Sequence, residues 1–365
     1  MNYTNITIIG GGSGGYAAAG DLMIKGYQVT VFEHPEYHEN IFPLIKSRNL
    51  KLTGEISGLI PSPKVEVNIK KAVLSADVIL IITHAKLHQE IAEMIASYIR
   101  SEQCIVILPG YTGGTLCFEK VFKENNVQPG YILAETNTLP YACRKINGEA
   151  AVHVKLYVKK LYASAFPSTQ NDRFIKLFKQ LYPNTCLTNN VLETGFNNGN
   201  PVLNVAPCIF NAGRIEYADG EYYHFQEGVT PRVSDVMAML DEERMAIGQA
   251  IGLDILPYLE RVIDTGYVKQ NNNWYDTIHS SDHLTAKGPE NLTHRYITED
   301  VPYGFVPWIE IAEKFNVSAN LMRSFSNLAS ALIGENYFNS GRKLTDMGIN
   351  HLSAQEIKQY VEKGY

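Results

Sequence analysis

Apolar residues follow two rhythms along the 365-residue chain, and the rhythm changes near its middle. In the first half, short continuous apolar runs stand at 6–9 (ITII), 28–32 (QVTVF), 78–83 (VILIIT), 104–108 (CIVIL) and 131–134 (YILA). Each has the length of a buried strand rather than of a helix. Amphipathic stretches separate them. Residues 13–24 read as one helix, and Ile91, Met94, Ile95, Tyr98 and Ile99 repeat at three and four, the stripe of another. Strands alternating with helices predict right-handed crossovers and a parallel sheet covered on both faces.

After about residue 190, convincing strand patterns become rare. Val236, Leu240, Ile247 and Ile251 share one helical face, with Asp241, Glu242, Glu243 and Arg244 largely on another. Leu321, Phe325, Leu328 and Leu332 form a second stripe, with Ser318 placed as its N-cap and Gly334 as its stop. The expected architecture is α/β plus all-α: a doubly wound parallel sheet over residues 1–188, then a helical domain over 189–365. Length agrees with two domains, because single cores rarely grow past roughly 250–300 residues.

Composition narrows the function. A net charge of −6 offers no basic field for nucleic acid or an anionic membrane. The apolar runs fall far short of a bilayer span and no charged-then-apolar leader opens the sequence, so a cytoplasmic location is expected. The five cysteines form no CxxC pair, which argues against a disulfide framework or a zinc site. His34 with His38, and His84 with His88, have the i,i+4 spacing that chelates metal on a helix. Both pairs follow predicted strands, however, and no metal is expected.

Residues 8–20 read IIGGGSGGYAAAG, and Gly10, Gly12 and Gly15 satisfy G-x-G-x-x-G, with Ser13 and Gly14 inside the same turn. One glycine permits the tight turn, one lets backbone approach a pyrophosphate, and one lets helix pack on strand. A strand precedes the motif, a helix follows, and the next strand ends in Glu33, eighteen residues beyond Gly15. A carboxylate there accepts hydrogen bonds from the adenine ribose hydroxyls and repels a 2′-phosphate. These features predict a Rossmann domain binding NAD in preference to NADP, with no arginine directly after Glu33 to reverse the preference.

Several later blocks resemble the octopine/nopaline (opine) dehydrogenase family: 105–115 (IVILPGYTGGT), 134–144 (AETNTLPYACR), 211–216 (NAGRIE), 227–231 (EGVTP), 241–244 (DEER), 287–289 (KGP) and 295–304 (RYITEDVPYG). They occur in order across nearly the whole chain. The resemblance implies a Rossmann domain followed by a helical domain. It also implies reductive condensation of an amino acid with a 2-oxo acid to an N-(carboxyalkyl)amino acid, at the expense of NAD(P)H. By the same resemblance, Arg295 binds a substrate carboxylate and Asp300 is catalytic. Thr138 and Cys143 line a cleft near nicotinamide and substrate, though Cys143 also reads as a small buried apolar residue. Lys287 either neutralises an anionic substrate or serves structure alone. Monomer and homodimer both fit.

One position departs from the family pattern. Where a histidine is expected after NP and two further residues, this chain has Asn204, in 200–207 (NPVLNVAP). Asparagine has no titratable proton near neutrality, whereas general acid–base catalysis is typically worth about 10²–10⁴-fold. Three accounts follow: another group supplies the proton (His279, His283, Tyr141 or a water on Asp300), the substrate has changed, or the chain binds nucleotide without turnover. Asn200 and Asn204 together also read as a polar wall. A 2-oxo-acid or ketopantoate-type reductase is the alternative within the enzyme class.

Overall fold

A computed structural model describes residues 4–268, 273–285 and 287–365. The chain divides into two compact units, Met1–Gly110 with Gly114–Leu187, and Tyr111–Gly113 with Thr188–Tyr365. Against the expected division at 188/189, residues 111–113 belong with the second unit although their chain neighbours belong to the first.

Twelve strands run through the described part of unit 1: β1 (Asn5–Ile9), β2 (Gln28–Phe32), β3 (Asn49–Gly54), β4 (Gly58–Pro61), β5 (Lys64–Val65), β6 (Val78–Ile81), β7 (Cys104–Ile107), β8 (Ile132–Thr136), β9 (Tyr141–Lys145), β10 (Ala151–Tyr157), β11 (Leu161–Phe166) and β12 (Thr185–Leu187). Eight form one sheet in the order β12-β11-β8-β7-β6-β1-β2-β5. From β8 to β5 all neighbours are parallel, and β11 joins β8 antiparallel. Helix α1 (Ser13–Ile24) carries the chain from β1 to β2, α2 (His88–Ala96) from β6 to β7, and α3 (Gly114–Glu124) from β7 to β8. Ile79, Ile81, Ile105 and Ile107 of the sheet pack with Ile91, Ile95, Phe118 and Phe122 of these helices in one buried cluster.

A second sheet, β4-β3-β10-β9, is not apparent in the sequence pattern. Its parallel β3–β10 pair joins residues a hundred apart, with Lys51 opposite Ala151. Leu50 and Leu52 face inward while Lys51 between them is exposed. A Cβ on Gly20 of α1 would lie 2.4 Å from the Leu52 side chain, so β3 presses directly on that helix.

Unit 2 is helical over its described residues and includes α4 (Asn200–Phe210), α5 (His224–Gly228), α6 (Pro231–Ile251), α7 (Arg295–Thr298) and α8 (Asn320–Ile333). In α6, Thr230 caps the start through Val233 N, and Gly252 ends the helix at φ +84°. Leu240, Ile247 and Ile251 are buried, but so are Asp241 and Arg244, placed by pattern on the other face. The pair survives burial because it is satisfied. Arg244 meets Asp241 at 2.7 Å and donates to the Phe196 and Leu256 carbonyl oxygens, while Asp241 accepts from Tyr258 N.

Helix α8 also departs from expectation. Its N-cap is Ala319 rather than Ser318, and the carboxylate of Glu243 on α6 accepts from Leu321 N and Met322 N at 2.8 and 2.9 Å. The buried face is Met322, Phe325, Ser326 and Ala329, leaving Leu328 and Leu332 exposed. Gly334 at φ +76° is the stop, as the pattern predicts.

Candidate functional site

The glycine loop of unit 1 is shaped for an anion. Gly10 has φ +123°, and a Cβ there would lie 2.1 Å from the Ile82 carbonyl oxygen. A Cβ on Gly15 would lie 1.9 Å from the Gly10 carbonyl oxygen, so α1 closes on the turn only without a side chain. Gly14 is hemmed in by Ile82 and Leu139. Gly12 differs, because no atom of the described protein lies within 4 Å of its missing Cβ. It is the N-cap of α1, no side chain caps that helix, and no acidic residue sits in its first turn. Free amide donors and the positive end of the helix dipole therefore face the open side of Gly12, and the pyrophosphate of a dinucleotide fits that cradle.

Glu33 ends β2 and is buried beside this loop. Its Oε2 accepts from Gly11 N at 2.7 Å and Asn40 Nδ2 at 3.1 Å, and its Oε1 accepts from His34 N at 2.8 Å. Three donors fix the carboxylate and leave about one of its roughly four acceptor sites for a further donor. Ser13 Oγ accepts from Lys145 N at 3.0 Å, which ties the end of β9 to the start of α1. Cys143 lies two residues earlier on β9, half-buried, and Thr138 is half-buried in the loop before it. Lys145 is a member of this site that the motif alone did not reveal.

In unit 2, Asp300 is fully buried at the junction of α7 with a π-helical turn, Val301–Phe305. Its Oδ2 accepts from Asn204 Nδ2 at 2.8 Å and its Oδ1 from Tyr111 Oη at 3.0 Å. Burial pushes the Asp300 carboxyl from 3.8 up to about 7, while Arg295 and the bonds from Asn204 and Tyr111 pull the other way. Burial, and then the Asp300 charge, hold the Tyr111 hydroxyl well above its ordinary value, so it remains a donor. Asn204 Oδ1 is buried and has no hydrogen-bond partner among the described residues.

Tyr111 is held in the left-handed region at φ +54°. The next residue anchors the turn: Trp308 Nε1 donates to Thr112 Oγ1 at 2.7 Å, and Arg342 Nη1 to the Thr112 carbonyl oxygen at 2.9 Å. Arg295, five residues before Asp300, carries a side chain 44% exposed and a loose 3.7 Å ion pair to the buried Glu299. Its guanidinium lies 5.7 Å from the centroid of the Tyr296 ring and interacts electrostatically with Tyr111 and Asp300.

The remaining candidates have the following surroundings. Lys287 lies in an exposed ion pair, its Nζ 2.5 Å from Glu221 Oε1. Tyr141 is in unit 1, where it donates to Asp21 Oδ2 at 2.7 Å. Both ring nitrogens of His279 face backbone carbonyls, of Tyr275 and Gln226. Asn200 opens α4, its backbone N donating to Asn198 Oδ1. His224, which pattern did not single out, packs on Tyr296 with ring centroids 4.8 Å apart and planes tilted by 34°. Burial, reinforced by His294, pushes its imidazole down to about 3, so it is neutral and holds no proton to donate as an acid near pH 7. Among the described residues no group of three or more His, Cys, Asp or Glu is arranged to hold a metal, and no helix is long and apolar enough to cross a membrane.

Comparison with known proteins locates this arrangement. The model described as NAD/NADP octopine/nopaline dehydrogenase, alpha-helical domain, matches residues 187–333. An opine dehydrogenase of Arthrobacter sp. (strain 1C) is 31% identical over 359 residues, covering 97% of this chain and 98% of the relative. An octopine dehydrogenase solved with NADH and agmatine superposes with a TM-score of 0.78 at 19% identity, covering 97% of each chain. A yersinopine dehydrogenase with NADP+ bound gives a TM-score of 0.74 at 12% identity, covering 99% of this chain and 98% of that one.

Proposed function

The chain belongs to the opine dehydrogenase family, and from that premise we propose that Asp300 is the acid–base group of its reaction. The protein is an NAD(P)-dependent oxidoreductase that condenses an amino acid with a 2-oxo acid and reduces the imine to an N-(carboxyalkyl)amino acid. The observation that carries our reading of the site is the buried Tyr111–Asp300–Asn204 group.

Arg295 holds a substrate carboxylate with paired N–H donors. Condensation needs a base to take a proton from the ammonium of the amino acid, and an acid to return one as the carbinolamine loses water. A carboxyl that titrates near neutrality serves both steps. Tyr111 and Asn204 orient Asp300 by donating to one oxygen each. The unpartnered Oδ1 of Asn204 accepts an N–H of the substrate amine. The proton expected on a histidine at position 204 therefore resides on Asp300, and Asn204 supplies geometry. A dinucleotide with its diphosphate on the Gly10–Gly15 loop would supply the hydride from its reduced nicotinamide.

We assign NAD as the preferred dinucleotide, because the buried Glu33 carboxylate opposes a 2′-phosphate. Related folds hold either dinucleotide, NADH in the octopine dehydrogenase and NADP+ in the yersinopine dehydrogenase, so the preference rests on Glu33. Thr138 and Cys143 are assigned as nicotinamide-side and substrate contacts of unit 1 on the strength of the TLPYACR block.

Incubating the protein with NADH, 2-oxo acids and a panel of amino acids should consume NADH only when both substrates are present. Consumption with a 2-oxo acid alone would point to a hydroxy-acid reductase. Asn204 favours one competing reading, a nucleotide-binding protein without turnover, which predicts NADH binding and silence across the whole panel.

A further inference from the structure

We propose that Lys145 is a phosphate-binding residue of the dinucleotide site, its ammonium pairing with a phosphate at the adenosine end of the cofactor. The proposal rests on the reading of the Gly10–Gly15 loop as that site. The loop and the helix turn after it, residues 8–20, contain no lysine or arginine, so a doubly charged diphosphate would meet only backbone dipoles there. Strand β9 brings the missing cation. The Lys145 amide donates to Ser13 Oγ at 3.0 Å, which fastens this residue to the first helical position after Gly12.

The side chain is held but not neutralised. Its Nζ lies 5.1 Å from the centroid of the Tyr16 ring and donates to Asn40 Oδ1 at 2.9 Å. Tyr16 Oη donates to the Asn40 carbonyl oxygen at 2.7 Å, and Asn40 Nδ2 donates to Glu33 Oε2 at 3.1 Å. Lys145 is thus one neutral amide away from the carboxylate assigned to the ribose. Glu33 and Glu39 act on its charge at a distance, yet among the described residues no carboxylate comes within ion-pair reach. A half-buried lysine packs its stem and keeps its ammonium where water or a counter-charge can reach it. Here the counter-charge is a phosphate, which displaces Asn40 from the ammonium while Tyr16 keeps the stem in place.

Two phosphates share this chemistry, the diphosphate common to both dinucleotides and the 2′-phosphate of NADP. Titration calorimetry with ADP-ribose and with 2′-phospho-ADP-ribose, on wild type, Lys145→Met and Lys145→Gln, distinguishes them. We expect both variants to weaken binding by about tenfold or more, as loss of a charge-assisted bond requires. The loss should shrink as salt rises. Equal loss for both ligands assigns the diphosphate, and loss confined to the second assigns the 2′-phosphate. Glutamine retains a polar contact to Asn40 without the charge, so it keeps the test valid if the methionine variant does not fold. Unchanged affinity for both ligands in a variant that melts like wild type overturns the proposal. Failure of wild type to bind ADP-ribose overturns instead the assignment of the loop.

Discussion

Replacing Tyr111 by phenylalanine removes one oxygen from the Asp300 group and leaves the surrounding turn anchored by Thr112, Trp308 and Arg342. Asp300 then ionises with one donor instead of two. A hydrogen bond to a charged group is worth ~1.5–3 kcal/mol, and 1.36 kcal/mol corresponds to one pK unit, so the Asp300 titration should rise by about 1–2 units. From its position at about 7, the proton would be retained well into the alkaline range. The sign is fixed by which form the bond favours: Tyr111 donates to the carboxylate, so its loss favours the acid. The assay is the pH dependence of kcat/KM for NADH oxidation with both substrates present, on wild type and Tyr111→Phe. The limb that reports Asp300 should move to higher pH, and NADH affinity should not change. Coincident profiles, with the variant folded and binding NADH normally, would refute Asp300 as the titrating group.

Other expectations follow from the same geometry. Gly12→Val adds a Cβ where no described protein atom stands but puts a poor N-cap on α1, so apo stability should fall by about 1 kcal/mol while NADH binding is lost. Gly15→Ala instead drives a Cβ against the Gly10 carbonyl oxygen and should lower the melting temperature even without ligand. Normal NADH binding by Gly12→Val would remove the cradle from the account. Arg295→Lys should raise KM for the 2-oxo acid by about tenfold or more, since one ammonium does not replace a paired guanidinium contact. An unchanged KM would assign the carboxylate to another group. With the proton assigned to Asp300, Asn204→His should change the rate by less than the roughly 10²-fold that a newly gained proton shuttle would supply. A gain of that size would show that asparagine cost the enzyme its acid–base group.

The parts legible in the sequence are those specified by local contacts. Gln28–Phe32 and Ser13–Ile24 form as the pattern predicts, because a continuous apolar run and a glycine-opened helix need few distant partners. The β3–β10 pairing was hidden because its partners are a hundred residues apart and only Leu50 and Leu52 mark the alternation. In α8 the stripe holds at Phe325 and fails at Leu328 and Leu332. The small Ser326 and Ala329 are inside with Met322 and Phe325, and Leu328 lies in solvent. The burial of Asp241 and Arg244 depends on carbonyls that only the fold supplies. The candidate site divides in the same way. Gly10, Gly15 and Glu33 lie within one short motif, whereas Tyr111 reaches Asp300 across 189 residues and Lys145 reaches Asn40 across 105. No spacing rule connects them. The departure at Asn204 was legible, but its partner on Asp300 was not.

This protein makes a carbon–nitrogen bond and reduces it, despite asparagine at position 204. The most direct test is the mass of the product formed from NADH, a 2-oxo acid and an amino acid. The account predicts a single secondary amine, equal in mass to the two substrates minus water plus two hydrogens, formed in step with NADH loss. Recovery of unchanged amino acid together with the 2-hydroxy acid would contradict it.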